Sequence, residues 1–297
     1  MTIADTPSPT ERLALAVVTQ PERAQPAPAG AREDALRSLL NTAADGGVSL
    51  IATRPDGDGE RLLGQAWPFP SPFSVTVRTV SLAEGVDRVE ARARRSLERL
   101  GLPRGDTLLV SNATDLAGAE GRALWDRLLA LKDRGLFKRI GFCAGVEDGP
   151  ALLARRLNPD VVQIPCNLLD QRAARSGVLA ELRALDVSVH LSSVFARGVL
   201  FMGTEALPPE IAHLAHALSR TRRRLAEARV DPMQATLAYA MGIKEASAVV
   251  ASVASAAELR AVLAAAHAPM PDLDWSSLAL ETPAFADASA RRVSSAA

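Results

Sequence analysis

Tyrosine and histidine are scarce in this chain. Its 297 residues include one tyrosine, Tyr239, and four histidines, His190, His213, His216 and His267. Tyr239 falls in the middle of a helical stretch, far in sequence from any strand end, and reads as a packing residue. The only two cysteines, Cys143 and Cys166, lie inside apolar segments of strand character, the pattern of reduced, buried thiols. An excess of either charge is absent as well, because 34 Lys and Arg balance 34 Asp and Glu. A chain with no net field is not built for nucleic acid or an anionic membrane surface. No apolar run reaches the roughly 18 residues of a membrane span. The opening MTIADTPSPTER lacks the basic-then-apolar order of a secretory signal. These absences point to a cytoplasmic protein with no membrane insertion.

What is present is a rhythm. Between Lys138 and Met202 three short segments rich in Val and Ile alternate with two amphipathic helical runs, the mark of consecutive strand-helix units in a parallel sheet. The same alternation extends to both sides. LALAVVT from Leu13 reads as the first strand, and a helix from Glu33 to Ala44 follows the linker PERAQPAPAG. VSLIATR, FSVTVRTV and DTLLVSN read as the next three strands, with helices at ERLLGQAW, up to Leu100, and from Ala119 to Arg134. After Met202 a helix is expected from Pro208 to Arg229, then another with Asp231 as N-cap and Pro232 at its first position. SAVVASV is the eighth strand and SAAELRAVLAAA its helix. Eight such units predict an α/β fold of the (β/α)8 TIM-barrel type over residues 13 to 268, with a doubly wound sheet as the alternative. Residues 1 to 12 are polar and read as disordered. Residues 269 to 297 read as a tail that wraps the barrel as far as Trp275 and Leu280 and is mobile beyond.

Folds of this kind place ligands at the carboxyl ends of their strands. Gln163, Asn167, Ser192 and Ser193 fall there. The helix before Asp231 carries Arg220, Arg222, Arg223, Arg224 and Arg229, either a solvated face or a surface for an acidic partner.

Four segments, SLERLGLPRGDTLLV, ALKDRGLFKRIGF, PDVVQIPCNLLD and SSVFARGVL, occur in an order and spacing similar to the aldo-keto reductases. The chain resembles that family from Leu13 to about Ala266. The resemblance implies a nicotinamide-dependent reductase barrel of aldo-keto reductase type, whose chemistry uses a tetrad of Tyr, Lys, Asp and His. At the tetrad positions this chain carries Ala52 for Asp, Gly57 for Tyr, Arg78 for Lys and Ser111 for His. A guanidinium stays protonated and a serine hydroxyl is a poor acid at neutral pH, so the expectation is a pseudoenzyme.

The resemblance also implies a cofactor site. Cys143 and Ala144 replace the Ser-Asn that holds the carboxamide, and Ser192 replaces the stacking Tyr. Gln163 is retained, either as the carboxamide's partner or as an inward barrel residue satisfied by its neighbours. Ser193, Phe195 and Arg197 match the segment that wraps the pyrophosphate. Ser252, Ser255 and Glu258 stand where NADP-binding members hold the 2′-phosphate. A carboxylate there favours a free ribose hydroxyl and therefore NAD(H).

The erased tetrad, the Ala- and Arg-rich composition and the Ala296-Ala297 end resemble a branch of the family that regulates bacterial cell division. That resemblance implies binding to the tubulin-like division protein FtsZ and the histidine kinase DivJ, with protease recognition of the Ala296-Ala297 end. Two alternatives remain. One is a divergent NAD(P)H-dependent oxidoreductase acting on a carbonyl or sugar, with Arg78 working electrostatically. The other is a scaffold that binds no nucleotide.

Overall fold

Runs of β-branched and leucine residues form eight parallel strands, and each is followed by helix that covers its outer face. The computed structural model describes residues 10–18, 29–55, 58–68 and 70–281. In chain order the first half runs β1 (Leu13–Val17), α1 (Ala29–Asp45), β2 (Leu50–Ala52), α2 (Gly59–Ala66), β3 (Ser74–Arg78), α3 (Val86–Leu100), β4 (Gly105–Val110) and α4 (Gly118–Asp133). The second half runs β5 (Phe137–Cys143), α5 (Pro150–Leu157), β6 (Val161–Pro165), α6 (Arg172–Arg175), α7 (Val178–Ala184) and β7 (Ser188–Ser192). It ends with α8 (Ala215–Glu227), α9 (Pro232–Gly242), β8 (Ala246–Val253) and α10 (Ala256–His267). Each strand pairs with the next, and β8 pairs with β1, so the sheet closes into a barrel. The doubly wound alternative is excluded by that closure.

Residues paired in register share a face of the sheet. The pairs Ala52↔Thr76, Arg78↔Leu109, Cys143↔Gln163 and Gln163↔His190 therefore trace the inner wall from β2 round to β7. Small side chains line the β8-β1-β2 side: Ala14, Ala16, Ala52 and Ala248 pack there with Leu50 and Val250. The main core lies outside the sheet, between strands and helices, where Ile51, Val77, Leu108, Phe142 and Ile164 are sealed from solvent. Gly141 shows how tightly β5 and β6 are laid together. A Cβ at this position would stand 1.8 Å from the carbonyl oxygen of Val161, so no larger residue fits without moving the strand.

Several expected boundaries shift. The chain is already ordered at Thr10 to Arg12, because the Arg12 guanidinium donates to the carbonyls of Met241 and Ile243 at the end of α9, 3.1 and 2.7 Å away. α1 begins at Ala29, ahead of Glu33. The single helix expected from Pro208 divides into a 3-10 turn over Pro209–Leu214 and α8, so two α-helices separate β7 from β8. Asp231 caps α9 as its sequence predicts, accepting from the amides of Met233 and Gln234. Residues 1–9 and the end of the tail, including Ala296 and Ala297, lie outside the described residues.

The segment after α10 is held by named bonds. Gln171 donates to the Trp275 carbonyl at 2.6 Å, Arg175 to that of Ser276 at 2.8 Å, and the Leu280 amide to that of Leu169 at 2.8 Å. Arg224 of α8 donates to the Ser277 carbonyl, and Arg222 to those of Val199 and Leu200. Two of the five arginines in the basic run thus secure backbone carbonyls, Arg222 half-buried and Arg224 from an exposed position. Arg220, Arg223 and Arg229 remain at the surface. No helix among the described residues is long and apolar enough to cross a membrane.

At the amino end of the strands, Asp106, Arg139, His190 and Arg12 border a cavity of about 180 Å³. Arg139 pairs with Asp106 at 2.5 Å. The His190 ring is 3% exposed, and burial, reinforced by the charge of Arg139, pulls it down to about 4 from an ordinary 6.5. The unfolded chain binds that proton more readily than the folded one. Stability from the neutral ring is therefore complete above pH 6.5 and is lost as pH falls towards 4. His190→Gln is expected to flatten the stability profile across this window by up to ~3 kcal/mol. Urea midpoints measured from pH 4 to 7 check this, and an unchanged slope in the variant would contradict it.

Candidate functional site

The carboxyl end of the barrel is organised by a contact that spans its interior. Arg78, the last residue of β3, reaches across to β6 and donates from Nη2 to Oε1 of Gln163 at 2.9 Å. Gln163 is 2% exposed and Arg78 half-buried. Cys143 approaches the same oxygen from β5, with Sγ 3.6 Å away. Of the two readings of Gln163, the inward residue satisfied by its neighbours is what the structure displays for its oxygen.

Around this contact the chemistry is quiet. Ala52 ends β2 on the inner wall. Thr53, facing outwards, donates to the buried carboxyl of Glu60 on α2 at 3.4 Å. Burial raises the pKa of Glu60, whose Oε2 finds no partner. Gly57 lies outside the described residues. Ser111 follows β4, and its hydroxyl proton goes to the Thr79 carbonyl at 2.5 Å while its amide donates to the Thr79 hydroxyl at 3.2 Å. That hydroxyl is therefore committed to backbone. Burial pushes the Cys143 thiol up, and the opposing pulls of Arg78 and Arg54 do not reverse it.

The tyrosine and the histidines lie elsewhere. Tyr239 sits on α9, hydrogen-bonded to Cys166 and packed against Trp275 with ring centroids 5.9 Å apart. Burial raises its pKa. His190 borders the cavity at the amino end, and His213, His216 and His267 ride on outer helical segments.

The segment after β7 has the geometry of a held loop. Ser193, Ala196 and Arg197 adopt positive φ of 57, 45 and 59°, followed by Gly198 at 78°. Such conformations cost of order 1–3 kcal/mol each in a non-glycine residue and persist only where the surroundings impose them. Asn167 supplies part of that restraint. Its amide donates to the Ser193 carbonyl at 3.0 Å, while its Oδ1 accepts from the amides of Leu169 and Asp170. Phe195 packs edge-on against Phe201 at 6.0 Å. Ser192 ends β7 on the inner wall, while Ser193 and Arg197 are exposed above it.

At the end of β8, Ser252 is exposed. Ser255 and Glu258 form a reciprocal cap on α10: Ser255 Oγ accepts from the Glu258 amide at 3.1 Å, and Glu258 Oε2 accepts from the Ala254 amide at 2.7 Å. The Ser-x-x-Glu spacing signals this cap in the sequence, where a ligand role alone had been assigned. Thr79 and Arg54 were not singled out either; their strand-end positions are the available signal.

The family model described as Aldo/keto reductase family matches residues 81–279. Among solved structures, the aldo-keto reductase AKR11C1 from Bacillus halodurans in its holo form superposes with a TM-score of 0.69 at 16% identity, over 90% of each chain. The aldose reductase of Giardia lamblia superposes with a TM-score of 0.67 at 15% identity, over 90% of this chain and 91% of that one. At such identities these likenesses concern the fold. No curated protein matches the chain.

The charges around Cys143 give a measurable consequence. In a Cys166→Ser background, Arg78→Met removes one of the two cations that oppose burial of the thiol. The midpoint of the alkylation-rate profile against pH should move upwards. A midpoint that stays or falls would show that Arg78 does not act on the sulfur.

Proposed function

The chain belongs to the aldo-keto reductase family, and we propose that it is a member without proton-transfer catalysis that binds NAD(H) and regulates through protein contacts. The observation that carries this reading is the Arg78–Gln163 bond. It places a permanently charged guanidinium across the interior at the mouth, where the family's reduction chemistry takes place. A carbonyl reduced there would need a proton from a group within hydrogen-bond reach. The only tyrosine is engaged with Cys166 and Trp275, the Ser111 hydroxyl with Thr79, and His190, the β7 register partner of Gln163, is buried, uncharged near neutral pH and turned to the cavity at the amino end.

The residues of the β7 loop fit a dinucleotide. Exposed Ser193 and Arg197, on a backbone restrained by Asn167, would hold the pyrophosphate beside Phe195. Gln163, whose oxygen is taken by Arg78, would offer its amide N–H groups to the carboxamide, and Ser192 would border the ring. Ser252, Ser255 and Glu258 would face the adenosine end, where a carboxylate favours NAD(H) over its phosphorylated form. The cofactor, when bound, would supply hydride, and the side chains described at the mouth would hold and orient it.

The resemblance to the division regulator KidO supplies the partners. On this reading the protein acts in the bacterial cytoplasm on FtsZ and DivJ. Arg220, Arg223 and Arg229 are the cations left at the surface for a partner.

NADH titration followed by fluorescence, run beside a turnover assay with a broad carbonyl and sugar panel, tests this reading. Saturable binding without turnover is expected. Turnover at ordinary enzymatic rates would establish the divergent oxidoreductase instead, and a flat titration the scaffold without nucleotide. The double change Ser252→Lys with Glu258→Arg should move preference towards NADPH.

A further inference from the structure

The mouth of the barrel carries a cation whose counter-charge is missing. Arg78 is half-buried, and its one hydrogen-bonding partner is a neutral amide oxygen. Among the described residues no carboxylate pairs with it. A guanidinium presents five N–H donors in a planar fork, and loss of hydration is costly unless an anion or several acceptors replace the water. Gln163 satisfies one donor. The position on the neighbouring strand that faces the same interior, Ala52, has no charge to offer.

Two further features lie on the adjoining stretches of β2 and β3. Thr76 pairs in register with Ala52 and lies two residues before Arg78 on the inner face of β3. It is 2% exposed, and its hydroxyl has no partner. Arg54, just after β2, adds a second positive charge that is felt at Cys143 together with that of Arg78. An inward guanidinium, a second cation at the rim and an unsatisfied buried hydroxyl form an acceptor-poor cup.

We propose that this cup binds a small carboxylate. Its two oxygens would take the guanidinium N–H groups that Gln163 leaves free, in the bidentate arrangement that matches carboxylate to guanidinium. The regulated state of the protein then responds to an organic acid in the place where a reductase of this fold takes a neutral carbonyl. The proposal requires no bound dinucleotide, so its failure is separable from failure of the cofactor reading.

The test uses nucleotide-free protein at constant ionic strength, titrated with lactate, with its neutral analogue lactamide and with inorganic phosphate, following the thermal unfolding midpoint and the heat of binding. Lactate is expected to bind saturably and to raise the midpoint, while lactamide leaves it unmoved. Arg78→Gln should weaken lactate binding by about tenfold or more, equivalent to ~1.4 kcal/mol, and Arg78→Lys should retain part of it. Ala52→Asp, which supplies a carboxylate from the adjoining strand, should abolish binding in a folded protein. Equal effects of lactate and lactamide would overturn the proposal without any variant. So would wild-type affinity in Arg78→Gln, or binding of phosphate in preference to lactate.

Discussion

The hydrogen bond from Arg78 to Gln163 joins β3 to β6 over the two strands between them, and the character of the carboxyl-terminal mouth depends on it. The two residues are 85 positions apart, and closure of the eight-stranded sheet brings them within 2.9 Å. In a partly desolvated interior, a bond to a charged donor is worth more than one between neutral groups. It also fixes the Gln163 oxygen, so any ligand that enters meets the amide N–H groups and the remaining guanidinium face. The mouth of this barrel thus presents a positively charged surface beside Gln163.

The rest of the mouth is consistent with recognition more than with chemistry. The hydroxyl of Ser111 is spent on a backbone carbonyl, and the Cys143 thiol is pushed away from its reactive form by burial. Strain is concentrated in the β7 loop, where three non-glycine residues hold positive φ beneath the restraint of Asn167. Strain of this kind gathers at ligand clamps and switch segments. Arg222 anchors the same loop from α8 through the Val199 and Leu200 carbonyls, and Arg224 of that helix holds the segment after α10. One helix therefore connects the β7 loop to the segment after α10.

Much of the architecture was legible because strands declare themselves locally. VVQIP and SVHLS are recognisable from their branched residues, and their order with intervening helices implies a parallel sheet, whose closure the β8 to β1 pairing then shows. Lengths were less legible: β2 was expected over seven residues, 48 to 54, and spans three, Leu50–Ala52, because strand ends depend on the neighbour's register. The positions of Arg78 and Ser192 at strand ends followed from the same pattern, whereas Gln163, expected at a strand end, stands in the middle of β6. Their partners did not, since a bond across a barrel leaves no trace in spacing. Arg222 and Arg224 read as solvated cations because backbone carbonyls, which have no sequence signature, are their acceptors. Thr10 to Arg12 read as disordered for the same reason: the carbonyls ending α9 hold Arg12 in place. Ser255 and Glu258 show the reverse case, a local cap hidden behind a long-range assignment.

A double-mutant cycle on Arg78→Met and Gln163→Leu, with urea unfolding of the two single variants and the double variant, measures the interior bond itself. The structure predicts a coupling energy of about 1 kcal/mol or more in favour of the pair. Effects that add to within ~0.3 kcal/mol would mean that the two side chains do not meet in solution, and the account of a cationic, bond-crossed mouth would fail with them.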